Sequence, residues 1–197
     1  MLILASASPR RRRLLAQAGV RCNVIPAEID ETQRPDETPI AYVERLALEK
    51  ARAIHALHPD AAVLGADTTV AMSATPGGSG AEQIILSKPA DLAEAERMLL
   101  ALSDRVHEVH TGIALALPGS TAAQRTHVET TRVFFAAIPA EELAVYLSTG
   151  DSLDKAGAYG IQGYAARWIT RIEGDFFNVM GLPIAATVRL LRETCNL

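Results

Sequence analysis

The sequence predicts an α/β fold, a mixed β-sheet with flanking helices in two lobes around a central cleft. Three observations predict it. Continuous apolar runs at 1–5 and 61–66 read as buried strands, and segments of helical periodicity alternate with them. Two long alternating runs, near 106–117 and 124–136, are joined by Pro118-Gly119-Ser120 and read as a hairpin in the middle of the chain. Of the 197 residues, 49% are hydrophobic, enough to bury a sizeable core. No internal repeat or long linker divides the chain, so a single domain over 1–197 is expected.

Taken in order, Met1–Ala5 is a short buried strand. Ser8 then suits an N-cap and Pro9 the first helical position, where a missing N–H costs nothing. A short strand is expected over 22–26 and an acidic, proline-bearing loop over 27–38. Pro39 opens a strong helix running to about Leu57. The strand at 61–66 is ended by Asp67 and extended through Val70 to Met72. Gly77-Gly78-Ser79-Gly80 marks a loop before a strand at 84–86. Asp91, with Glu94 three residues on, starts a helix reaching Leu102. After the hairpin come a helix over 139–147 stopped by Gly150, a glycine-rich loop over 151–163, a strand over 167–172 and a last helix over 182–194.

Composition narrows the function. Lys plus Arg number 19 against 23 Asp plus Glu, a net charge of −4, unlike the basic balance of a general nucleic-acid binder. No apolar stretch is long enough to span a bilayer, so no membrane partner is expected. The N-terminus starts directly on a strand without a signal pattern, so a cytoplasmic location is expected. Cys22 and Cys195 have no metal-type spacing and make no disulfide framework. The positive charge near residue 10 therefore looks local, and the expected partner is a small anion rather than a polymer.

Phase identifies the candidate residues. In the first helix Arg11 shares the apolar stripe of Leu14, Leu15 and Ala18, while Arg10, Arg12 and Arg13 point elsewhere. An inward arginine needs something to meet its charge, and Ser8 and the helix N-terminus beside it offer free donors to a phosphate. Lys50 lies at the centre of the stripe formed by Val43, Leu46, Ala47, Ile54 and Leu57, so its ammonium either snorkels or meets an anion. Asp67, read as a strand-end carboxylate, suits a metal, a general base or a cap of its own turn. Glu31 and Asp30 are either further metal ligands or solvated acids. Lys88, between a strand and a helix, can reach a phosphate. Gln162, in its glycine-rich loop, offers donor and acceptor to the imide or amide edge of a base. His107 and His110, three apart on a strand, point to opposite faces and are not read as a metal pair, and Trp168 is read as core.

These residues fall in a recognisable order. Ser6-Ala7-Ser8-Pro9-Arg10-Arg11, Arg45-Leu46-Ala47 with Glu49-Lys50-Ala51, Gly65-Ala66-Asp67-Thr68, Lys88-Pro89, the run from Asp154 to Gly163, and Gly181-Leu182-Pro183 together resemble the Maf nucleoside triphosphate pyrophosphatases over nearly the whole length. The resemblance implies an elongated sheet similar to that of inosine triphosphate pyrophosphatases. It also implies hydrolysis of a nucleoside triphosphate to the monophosphate and pyrophosphate with a divalent cation, Mg²⁺ or Mn²⁺. By the same resemblance Asp67 is the proton acceptor, and Ser8, Arg11, Lys50 and Lys88 handle phosphate. Glu31 with Asp67 handles metal, and Arg10, Thr68 and Gln162 are tied to base choice. The double arginine after Pro9 and the Tyr-Gly-Ile-Gln run at 159–162 look like the branch acting on dTTP and UTP, with removal of non-standard nucleotides as a further role. Alternatives are a 7-methyl-GTP pyrophosphatase, whose branch carries a bulky aromatic after that proline, and a nucleotide-binding regulator of septum formation. The stretch 73–83 is longer and richer in glycine than the family's tight hairpin. The oligomeric state is left open, a homodimer included.

Overall fold

Two prolines start the helices that carry the inward-facing cations. The computed structural model describes residues 1–74, 83–119 and 124–195. Strand β1 (Leu2–Ala5) leads into helix α1 (Pro9–Gln17). Strand β2 (Asn23–Val24) follows, and then helix α2 (Pro39–Leu57). Each helix has Pro at its start and a hydroxyl cap before it: Ser8 Oγ accepts from the Arg11 N–H and Thr38 Oγ1 from the Ala41 N–H. β2 is shorter than the run 22–26, because only Asn23 and Val24 pair with β1, opposite Ile3 and Leu4.

The remaining strands and α-helices are β3 (Ala62–Ser73), β4 (Gln83–Leu86), α3 (Leu92–Leu102), β5 (Val106–Ala116), β6 (Gln124–Phe135), α4 (Ala140–Ser148), β7 (Ile169–Glu173), α5 (Phe176–Val179) and α6 (Ile184–Cys195), with short 3₁₀ turns at Ala156–Ala158 and Tyr164–Trp168. The strands make one seven-stranded sheet in the order β2-β1-β3-β5-β6-β7, with β4 paired to β3. Residues 77–80, read as a loop, and Ser120 of the expected turn lie outside the described residues. Asp91 caps α3 by accepting from Glu94 N, while Glu94 Oε2 accepts from Ala90 N, one residue before the position of a standard capping box.

β3 corrects one expectation. It is a continuous strand of 12 residues, so Asp67 lies inside it and not at its end. Its first part pairs in parallel with β1, as far as Ala5 opposite Gly65, and its last part pairs antiparallel with β4, from Val70 to Ser73. Asp67 therefore sits two residues past the end of its neighbour β1, where the chain leaves the sheet to form α1. The carboxyl end that matters belongs to β1.

The chain divides into two compact units. Unit 1 is Met1–Thr68, Thr111–Glu129 and Gly181–Leu197; unit 2 is Thr69–His110 and Thr130–Met180. In unit 1 small residues let α2 settle close to the sheet: Ile3, Ala5, Val63, Ala114 and Ala116 pack against Ala47, Ala51 and Ile54. Two strand glycines complete the seat. A Cβ on Gly65 would lie 2.1 Å from Ala47 O, and one on Gly112 would lie 2.3 Å from Val43 O. In unit 2, α3 and α4 join a larger aromatic core with Phe135, Tyr146, Tyr159 and Trp168. The glycine-rich loop belongs to that core: a Cβ on Gly157, at φ 65°, would lie 2.9 Å from Val70 Cγ2, and its N–H donates to Ser87 O at 3.2 Å.

Candidate active site

Strand alternation sets two different environments on β3 within unit 1. Val63, Gly65 and Asp67 share the face covered by α2, so the helical phase of Lys50 and the strand phase of Asp67 converge. Lys50 Nζ donates to Asp67 Oδ1 at 2.6 Å and pairs with Glu31 Oε1 at 2.7 Å. Lys50 and Asp67 are each 7% exposed, whereas the Glu31 side chain is half exposed. Burial raises the Asp67 carboxyl above its ordinary range, and the charges of Lys50 and Arg11 only partly offset that.

The acidic loop reaches Lys50 because α2 holds it. Tyr42 Oη donates to the Glu31 carbonyl at 2.8 Å. The Arg45 fork donates to Glu37 at 2.6 and 2.8 Å and to the Thr32 carbonyl at 3.1 Å. Of the two acids read as candidate ligands, Glu31 is thereby brought to Lys50. Asp30 is turned to its own backbone instead, accepting from Thr32 N at 2.9 Å.

The opposite face of β3 belongs to Arg11. Its guanidinium, 9% exposed, donates from Nε to Gly181 O (2.7 Å), from Nη1 to Ala66 O (2.9 Å) and Ser6 Oγ (3.0 Å), and from Nη2 to Thr68 Oγ1 (2.9 Å). Thr68 Oγ1 also shares a hydrogen bond with Thr111 Oγ1 on β5 at 2.9 Å. The inward phase expected of Arg11 is thus met by neutral acceptors of the chain itself. Ser8 caps α1, Arg10 is half-buried, and Arg12 and Arg13 are exposed.

The other expected residues lie in unit 2. Lys88 and Gln162 are both exposed, Gln162 on the loop that Gly157 ties to the core. Lys155 in the same loop is held by Asp151 Oδ1 at 2.7 Å and Asp154 Oδ1 at 2.6 Å. His107 and His110 have separate partners: His107 Nε2 shares a hydrogen bond with Tyr159 Oη at 2.7 Å and His110 Nδ1 with Thr130 Oγ1 at 2.9 Å.

A family model described as Maf-like protein matches residues 1–194. The chain belongs to the Maf family. A relative named dTTP/UTP pyrophosphatase from Koribacter versatilis (strain Ellin345) is 49% identical over 192 residues, covering 98% of this chain and 93% of its own. One of the same name from Myxococcus xanthus (strain DK1622) is 49% identical over 193 residues, covering 98% of this chain and 92% of its own. Among solved structures, a HAM1 protein from Coxiella burnetii superposes with a TM-score of 0.52 at 18% identity over 98% of both chains, which shows a shared fold.

In this Maf chain two further residues contribute that no motif marks by role. Thr111 reaches Thr68 across the sheet, and the Gly181 carbonyl receives Arg11. Gly181-Leu182-Pro183 stood out as a motif without a role. Its glycine adopts φ 106°, the left-handed side of backbone space, at the point where its carbonyl meets Arg11.

Proposed function

We propose that this chain, acting as one functional domain over 1–197, is a nucleoside triphosphate pyrophosphatase that hydrolyses dTTP and UTP to the monophosphate and pyrophosphate. The observation that carries it is the buried Asp67 carboxylate held by Lys50 beside Glu31. A carboxylate whose proton affinity is raised by burial is suited to take a proton from water. Lys50 engages Oδ1, which leaves Oδ2 to accept that proton. The water oxygen attacks the α-phosphorus, its proton passes to Asp67, and the bond to the leaving pyrophosphate breaks. Lys50, Lys88 and the N-terminus of α1 capped by Ser8 receive phosphate oxygens. Arg10, Thr68 and Gln162 select the base. The names and identities of the relatives support dTTP and UTP as substrates.

The residues also fit a divalent cation. The Lys50 ammonium already stands between two carboxylates, at 2.6 and 2.7 Å, as a cation would. Among the described residues no group of three or more His, Cys, Asp or Glu is gathered for a metal. Glu31 would therefore hold Mg²⁺ or Mn²⁺ together with oxygens of the substrate and whichever Asp67 oxygen does not take the proton. Such an ion, when bound, would supply charge neutralisation at the phosphorus.

A nucleotide panel tests the reading. With Mg²⁺ or Mn²⁺ the protein should release pyrophosphate from dTTP and UTP faster than from dCTP, GTP or 7-methyl-GTP, and Gln162→Ala should flatten that preference. Release of orthophosphate with a diphosphate product would overturn it.

A further inference from the structure

Arg11 sits where an arginine of a phosphate site is expected, yet its guanidinium is turned into the protein. Four of its five N–H groups meet Gly181 O, Ala66 O, Ser6 Oγ and Thr68 Oγ1 at 2.7–3.0 Å. Ala66 and Thr68 are the residues immediately before and after Asp67. Thr68 projects to the opposite face from the carboxylate, so the fork grips the strand behind the base. A phosphate that drew Arg11 away would strand buried carbonyls without donors, a cost that opposes binding there.

We propose that Arg11 is a positioning residue: it fixes both neighbours of Asp67 on β3 and does not itself bind the phosphate chain. This rests on reading Asp67 as the proton acceptor. The fork, more than the charge, does the positioning. A lysine ammonium at this site keeps the charge but cannot span four acceptors set around a planar group. Ser6 and Gly181 extend the grip to the end of β1 and to the segment before α6.

Steady-state kinetics with dTTP on Arg11→Lys, Arg11→Gln and Ser6→Ala test this. Positioning predicts that kcat falls about 10²-fold in both Arg11 variants, the cost of a small misplacement, with KM close to wild type. Ser6→Ala keeps the fork but removes one of its acceptors and also the partner of the Ser8 N–H at 3.2 Å. Positioning therefore predicts a milder fall in kcat at the same KM, while a rise in KM would mark the Ser8 end instead. A direct phosphate contact predicts a large rise in KM for Arg11→Gln, its rescue by Arg11→Lys, and an unaffected Ser6→Ala; that pattern overturns the proposal. Should the Arg11 variants fail to fold, Ser6→Ala decides, since unchanged kcat overturns and lowered kcat at constant KM supports. Calorimetric binding of the non-hydrolysable α,β-imido analogue of dTTP separates this proposal from the functional reading. Wild type that binds the analogue but does not hydrolyse dTTP defeats the reading. Affinity held in the Arg11 variants still places Arg11 outside the phosphate contacts, and affinity lost puts it among them. Wild type that neither binds nor hydrolyses defeats both.

Discussion

The two units bury titratable side chains at similar depth and handle the cost in opposite ways. Unit 1 keeps charge inside: Lys50, Asp67 and Arg11 are all within 9% exposure, and each has donors or acceptors directed at it. Unit 2 keeps its interior neutral. His107 and Tyr159 share a 2.7 Å hydrogen bond and pack edge-to-face with Phe135, and burial lowers His107 to about 3 and raises the Tyr159 hydroxyl. A buried ion pair gives little stability over a well-packed apolar replacement. The neutral pair is accounted for by packing. The charged one costs stability and points to chemistry.

The largest expected effect comes from removing the charge of Asp67, the proposed proton acceptor. Asp67→Asn should lower turnover by about 10² to 10⁴, the usual worth of a placed general base. The pH profile sharpens this. Because the folded carboxyl titrates above its ordinary 3.8, the stability tied to its protonated form is full below that value and is lost as pH rises through the folded one. Denaturant midpoints across that range should show the loss in wild type and not in the asparagine variant. Turnover near wild type would break the comparison by making the unit 1 cluster structural.

Lys50→Met is the next test. From the helix alone the swap looks harmless, since methionine keeps the apolar stem. The geometry reverses that expectation, because the ammonium is what neutralises Asp67 and Glu31. Urea unfolding at pH 8 should show a loss of about 3 kcal/mol, shrinking as the pH is lowered and Asp67 protonates. Stability held at pH 8 would mean that the pair is not coupled as the distances imply.

The smallest effect on turnover should come from unit 2. His107 is depressed from 6.5 to about 3, so its contribution is present above 6.5 and drains away as pH falls toward 3. The slope approaches about 1.4 kcal/mol per pH unit. His107→Gln keeps a neutral partner for Tyr159 and should flatten this acid limb without changing turnover. An unchanged limb would move the titration elsewhere.

What could be read from the sequence follows the range of the forces involved. Pro39 and the periodic stripe define α2 to the residue, and the Ser8-Pro9 cap defines the start of α1, because both signals are local. The inward phase of Lys50 and Arg11 was also legible. Their partners were not. That Lys50 meets Glu31 depends on Tyr42 and Arg45 folding the acidic loop back onto α2, and that Thr68 meets Thr111 depends on the register between β3 and β5. One sequence carries no record of either. Asp67 reads as a strand end because the apolar run 61–66 stops there; that β3 continues and the shorter β1 is what ends nearby shows only once the two are paired. α5, a helix of four residues directly after the Asp175 cap, is too short for periodicity to reveal.

Gly65 and Gly112 carry no functional group, yet they set how far Lys50 must reach. With Cβ positions only 2.1 and 2.3 Å from the carbonyls of Ala47 and Val43, the seat of α2 has no clearance for a methyl group on either strand. A side chain there would lift the helix and draw the ammonium off the carboxylates. The span between carboxylate and ammonium is thus gauged by two hydrogens, at positions that an inventory of polar residues passes over.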